Sequence, residues 1–392
     1  MVSAPGKLIL MGEHAAVYGR PALVAAIDLR LTAAFTPLAS HPEPPEPPHD
    51  IELDLPQLRH YERVSWPAVR SYALLARDSW HAYARHPDAA GFQRLRGSDP
   101  AHLVKAALGE ASESLGEEAP PGLSLRVDSL LPIGSGFGSS AATALAVVAG
   151  YLAFRAGQGP SASSQIAGQG PGASDPSAGQ GPGALPAALD LVERIALEVE
   201  RRQHGLPSGV DTAAILRGGL LWAQRLPSGA LAVEPVAACS PLLRHLRVYD
   251  TGTPPEPTGA VVAAVRERRE RDPAHSDSLL DRIEAATRAF RAELTRQTED
   301  APRVVALLRE HQACLEELEV VPGPVREAVR RVEAAGGAAK LSGAGSLAGP
   351  GGGCLLVYHS EVERVAGWEW LRPFVHHPVA LAAAGLRREI LR

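Results

Sequence analysis

At 392 residues, 45% apolar and 21% charged, the chain holds enough apolar material to fold and too much length for one core, which excludes a disordered or fibrous polymer. Roughly 100–200 residues per domain makes two domains the expectation, and a formal net charge of −5 leaves no broad positive field for nucleic acid, so no such partner is expected. No run approaches the ~20 apolar residues of a membrane span and no leader pattern opens the chain, which predicts no membrane partner and a cytoplasmic location.

The first 34 residues alternate short apolar runs with Gly and Pro punctuation and read as strands and a hairpin. Proline-rich 41–50 reads as an exposed loop, because proline removes donors that helix and sheet need. Residues 65–115 show helical spacing, and 123–131 alternate as a strand. A glycine-rich turn then leads into an apolar helix from about 139 to 156. AGQGP recurs at 156, 167 and 178, and the segment 156–186 reads as a flexible surface insert with nothing apolar to bury. A helix over 187–203, a strand at GGLLWAQ, a strand at LRVYDTG, four helices between 258 and 335 and a strand at CLLVYH complete the pattern. The expected class is α+β, with an N-terminal domain over 1–230 and a C-terminal domain over 231–392.

Cys239, Cys314 and Cys354 are an odd, scattered set without a CxxC pair, so neither a disulfide framework nor a zinc ribbon is available, and all three read as small buried residues. Of 39 basic residues only three are lysine, Lys7, Lys105 and Lys340, and asparagine is absent. Where arginine would do for mere charge, a lysine in this chain is informative, and two of the three lie beside glycine-rich segments.

Four segments carry chemistry. Pro132-Ile-Gly-Ser-Gly-Phe-Gly-Ser-Ser140 lies between a strand and a helix, so its glycines allow close backbone approach while the helix start offers free amides to an anion. A structural tight turn has the same glycine spacing, and the segment matches neither the Walker pattern nor the dinucleotide fingerprint. Lys7 is read in a glycine-flanked turn, either as a solvated amine or as a phosphate contact, with Glu13 and His14 one strand-length later. Glu200, then His204-Gly-Leu-Pro-Ser-Gly-Val-Asp211, places a carboxylate in a last helical turn and presents Asp211 from a loop, as a helix cap or as a base. Lys340 to Cys354 forms a second glycine-rich turn, either a flexible connection or a phosphate loop.

Together, in this order from Pro5 to Cys354, the segments resemble the GHMP kinases, and within that superfamily the mevalonate kinases most closely. The resemblance implies a two-domain α+β fold with its active site in the interdomain cleft, and ATP and mevalonate as partners. It implies transfer of the ATP γ-phosphoryl to the 5-hydroxyl of mevalonate, with other GHMP kinases, phosphomevalonate kinase first, and a catalytically silent regulator as alternatives. On matching positions, Asp211 takes or orients the hydroxyl proton and Lys7 stabilises the reacting oxygen and the moving phosphoryl. Ser140 and Glu200 hold Mg²⁺. Gly134, Ser135, Gly136, Gly138, Ser139 and Ser140, with Gly343 and Gly345 of the second loop, bind ATP, and Glu13 and His14 contact the substrate. Many members of the superfamily are homodimers. Two departures stand out: Leu206 where the family has asparagine, and SLAGP interrupting the second glycine run after Gly345.

Overall fold

The computed structural model of the chain describes residues 1–38, 50–86, 89–118, 120–157 and 189–389. The expected proline-rich loop, except Asp50, and the AGQGP insert beyond Gly157 lie outside the described residues.

The first sheet begins with two long strands, β1 (Val2–Met11) and β2 (Ala22–Pro37), whose fully buried apolar stretches pair antiparallel as the expected hairpin. A second hairpin, β3 (Asp50–Leu55) and β4 (His60–Ser65), follows; its strands alternate, but Pro56 between them breaks the pattern and hides it in the sequence. Helices α1 (Trp66–Arg85), α2 (Ala89–Arg96) and α3 (His102–Ser114) fill the predicted helical region, and β5 (Leu123–Ser129) fills the predicted strand. Next come α4 (Ser139–Ala156), α5 (Leu189–His204), α6 (Val210–Arg217) and the hairpin β6 (Leu220–Arg225) and β7 (Leu231–Pro235). The smaller region holds β8 (Leu246–Asp250), α7 (Thr258–Arg271), α8 (Pro273–Thr295), α9 (Ala301–Glu317), α10 (Gly323–Ala334), β9 (Ala338–Ser342), β10 (Cys354–Tyr358) and β11 (Val375–His377). A two-residue strand, β12 (Arg387–Arg388), pairs back onto β1.

Among the described residues two sheets result. The larger runs β12-β1-β2-β5-β3-β4, with β6 on β2 and β7 on β6, and of these described pairs only β3 and β5 run parallel; the smaller runs β11-β8-β10-β9. Because β7 pairs with β6 and β12 with β1, the sheets do not divide the chain at 230/231: β7 and the C-terminal residues belong to the larger sheet.

Helix α4 is the core of the larger region. Among the described helices it is the one long and apolar enough to cross a membrane, but Ala141–Tyr151 is packed against β1, β2, α3 and α5. Its alanines bring its axis close to the sheet, and each buried Leu or Val contributes roughly 1.5–3 kcal/mol. This packing fixes where its N-terminus points.

Candidate active site

Helix α4 starts as the sequence predicts, at Ser139, with Gly138 as its N-cap at φ 80°. Among the described residues no side chain caps the first turn, so its amides and the positive end of the helix dipole remain available to an anion. A methyl group on Gly138 would lie 2.8 Å from Lys7 Cγ, so the loop needs glycine for conformation and for close approach alike. The backbone N–H of Lys7 donates to Phe137 O at 2.9 Å, which locks strand and loop together.

Lys7 is not in a turn. It lies inside the continuous strand β1, and the Pro5-Gly6 pair that reads as a breaker sits at a register shift against β2. Its side chain is buried, and its ammonium lies 3.2 Å from Asp211 Oδ1. Asp211 is neither in a loop nor a cap: Gly209 is the N-cap of α6 and Asp211 occupies the first turn, with its side chain 35% exposed. A buried cation thus holds a half-open carboxylate at the mouth of the glycine loop.

Glu200 and His204, four residues apart on α5, share one helix face. His204 Nε2 lies 2.9 Å from Ser140 Oγ and 3.8 Å from Glu200 Oε2. Glu200 is buried and its Oε1 has no hydrogen-bond partner among the described residues. Burial, then the charge of Asp211, pushes the Glu200 carboxyl up to about 8, against the Ser140 hydroxyl and Lys7. An orphaned buried carboxylate oxygen beside a hydroxyl and a second carboxylate suits a hard divalent cation, so these residues fit Mg²⁺. Burial holds His204 down to about 4, so it is neutral at pH 7. Leu206 in the same loop is 60% exposed, and the asparagine position of the family therefore contributes no polar side chain here.

The second glycine run faces the first. A methyl on Gly136 would lie 3.4 Å from Ser342 O, and one on Gly343 would lie 3.9 Å from Gly136 Cα. Ser342, which sequence reasoning missed, ties β9 to β1: its hydroxyl donates to Ile9 O at 2.9 Å and accepts from Ile9 N at 3.1 Å. A methyl on Gly345 would lie 2.1 Å from Val320 O, so no side chain fits at that position. The SLAGP interruption is a tethered bulge, since buried Ser346 donates to Glu256 Oε2 at 2.8 Å and its N–H donates to Val320 O at 2.9 Å. Beyond it, Gly353 N–H donates to Gly252 O and Gly353 O accepts from Thr251 N–H, which brings the run back beside Ser135.

Glu13 and His14 lie elsewhere than an open substrate pocket. Glu13 is sealed in an ion pair with Lys340, and its Oε2 lies 3.3 Å from His311 Nε2, which accepts from Gly12 N–H at 3.0 Å. Burial raises the Glu13 carboxyl against the pull of Lys340, and burial lowers Lys340 against the pull of Glu13. His14, held down to about 4 by burial, bonds through Nε2 to Ala344 O at 3.0 Å. Lys340 lies in β9 rather than in the glycine turn.

The third lysine follows the same rule: Lys105 Nζ lies 2.8 Å from Glu62 and 2.7 Å from Asp99. His60, Glu62 and Asp99 are close enough to hold a metal, but this ammonium already supplies their positive charge. All three lysines are buried and paired with carboxylates, which their scarcity alone did not reveal. Cys314 and Cys354 are buried as expected, whereas Cys239 is exposed.

With this geometry in view, the model of the GHMP kinases N terminal domain matches residues 102–170. A mevalonate kinase of Bos taurus is 31% identical over 381 residues, covering 93% of this chain and 87% of that protein. The chain belongs to the mevalonate kinase family. It is an ATP-dependent small-molecule kinase with ATP as co-substrate. The family fold is matched by the mevalonate kinase of Methanococcus jannaschii, at TM-score 0.66 and 17% identity, covering 100% of this chain and 98% of that one. The L. major mevalonate kinase, solved in complex with R-mevalonate, matches at TM-score 0.60 and 21% identity, covering 94% and 90%.

Proposed function

We propose that the cleft between the α4 N-terminus and the Lys7–Asp211 pair phosphorylates the 5-hydroxyl of mevalonate. The observation that supports this most is the 3.2 Å contact between Lys7 Nζ and Asp211 Oδ1 beside an uncapped helix start. Phosphoryl transfer asks a protein for positioning and charge neutralisation more than for covalent chemistry, and these groups supply both.

In this reading the backbone of Gly134–Ser140 and the facing Gly343 cradle the triphosphate, its negative charge met by free amides. Gly345 supports that cradle from behind by closing the loop onto Val320. Asp211 accepts the proton of the 5-hydroxyl as its oxygen bonds to the γ-phosphorus and the bond to ADP breaks. Lys7 orients Asp211 and stabilises charge on the reacting oxygen and the moving phosphoryl. Ser140 and Glu200 would hold Mg²⁺, which neutralises phosphate charge when bound. Glu13 and His14 shape the substrate side indirectly, by fixing the corner after β1 against the second glycine run. The residues a silent regulator would have lost, Lys7, Ser140, Glu200 and Asp211, are all present. The cytoplasm, with its ATP, is the proposed compartment.

A coupled assay for ADP across mevalonate, phosphomevalonate, galactose and homoserine tests the substrate. Turnover should appear with mevalonate; turnover of another alcohol and none of mevalonate overturns the assignment.

A further inference from the structure

His204 carries no role in the reading above, yet its Nε2 is the polar atom placed against Ser140 Oγ, at 2.9 Å, with Glu200 Oε2 at 3.8 Å. A hydroxyl has one proton and two lone pairs. With no cation, that proton can serve either Glu200 or His204. Once Ser140 and Glu200 both turn oxygen lone pairs to a cation, the proton needs an acceptor outside the cation's shell. His204 Nε2 lies where that acceptor must be. We propose that His204 is a positioning residue for the metal site: it accepts the Ser140 Oγ–H proton and thereby aims the hydroxyl lone pairs at the cation. Groups hydrogen-bonded to metal ligands set ligand orientation in this way, and losing one weakens metal affinity by about 10–100-fold.

The backbone holds His204 for this task. It ends α5, where Trp80 Nε1 donates to Gly205 O at 2.8 Å and His102 Nε2 contacts Arg202 O at 3.3 Å. A methyl on Gly205 would lie 2.3 Å from the Tyr83 ring, so α1 and α3 close over this turn and fix the imidazole opposite Ser140. The required tautomer carries its proton on Nδ1, leaving Nε2 free to accept.

The proposal rests on Ser140 and Glu200 being metal ligands, and its test separates the two statements. Mn²⁺ affinity of the complex with a non-hydrolysable ATP analogue is measured by electron paramagnetic resonance of free Mn²⁺, alongside metal-free affinity for the analogue. His204→Leu removes the acceptor and should weaken Mn²⁺ by about tenfold or more while leaving metal-free nucleotide affinity within about twofold. His204→Gln, whose carboxamide oxygen can accept at the same reach, should recover most of the loss. Unchanged Mn²⁺ affinity in His204→Leu overturns the proposal, as does a Gln variant no better than Leu. An equal loss of metal-free nucleotide affinity also overturns it, because the histidine then only supports the loop. Ser140→Ala and Glu200→Gln are the controls: if they weaken Mn²⁺ and His204→Leu does not, only the role of His204 fails. If neither weakens it, the ligand assignment fails.

Discussion

Two lysine–carboxylate pairs flank the corner that follows β1, and they do different work. Lys7–Asp211 is buried on the lysine side and 35% exposed on the aspartate side, whereas Lys340–Glu13 is sealed on both, with His311 against it. Both pairs join segments far apart in the chain. An open carboxylate can meet a substrate hydroxyl; a sealed one can only hold the two sheets in register. The difference lies in the neighbours: Asp211 sits in the first turn of α6 beside a glycine loop, while Glu13 is roofed by β9 and α9.

Breaking the open pair should give the largest effect. Asp211→Asn is expected to lower kcat by about 10³-fold, within the range for loss of a general base, with affinity for an ATP analogue within about twofold and thermal stability nearly unchanged. Breaking the sealed pair should do the reverse. Lys340→Met leaves Glu13 buried without its cation and should cost about 3–5 kcal/mol of unfolding free energy, read by denaturant titration. Adding Glu13→Gln to Lys340→Met should restore a large part of that loss. A Lys340→Met protein as stable as the parent contradicts the comparison.

The sealed side also carries acid sensitivity. Burial holds His14 at about 4 and His311 well below its ordinary value, against 6.5 for each when unfolded. Below 6.5 the unfolded chain binds more protons, so their contribution is complete above pH 6.5 and is lost as pH falls, for His14 through about 4. Glu200 runs the other way: folded near 8 and unfolded near 4.5, its contribution fades as pH rises between them. His14→Gln should flatten the acid limb of stability against pH by close to one proton, about 1.4 kcal/mol per pH unit. An unchanged slope would remove His14 from the account. The smallest effect is expected at the bulge, where Ser346→Ala loses its bond to Glu256 and should cost about 1 kcal/mol.

How far the sequence reveals this contrast depends on how local each cause is. Helix α4 and its glycine loop were legible, because left-handed turns, a helix start and a long apolar run are set by neighbours. The four helices between 258 and 335 were legible for the same reason. Lys7 was misread as a turn residue because Pro5-Gly6 looks like a breaker, and only pairing with β2 shows a continuous strand with a register shift. Lys340 looked like part of a loop because a charge fully buried in a strand needs a partner, and Glu13 stands 327 positions away. For the same reason His204 was seen in its motif but given no role, and His311 and Ser342 were silent: their meaning lies in atoms brought near by tertiary packing. The scarcity of lysine marked these positions as informative without showing what they do; that all three are buried and paired with carboxylates came only from the structure.

The central claim is that Lys7, Ser140, Glu200 and Asp211 surround one triphosphate tail with the acceptor alcohol beside it. A crystal structure of the complex with mevalonate and a non-hydrolysable ATP analogue tests this directly. The γ-phosphate should lie within hydrogen-bond reach of Lys7 Nζ, with the 5-hydroxyl against Asp211. A triphosphate bound away from the α4 N-terminus, or an alcohol on the far side of the Lys7–Asp211 pair from it, would contradict the account.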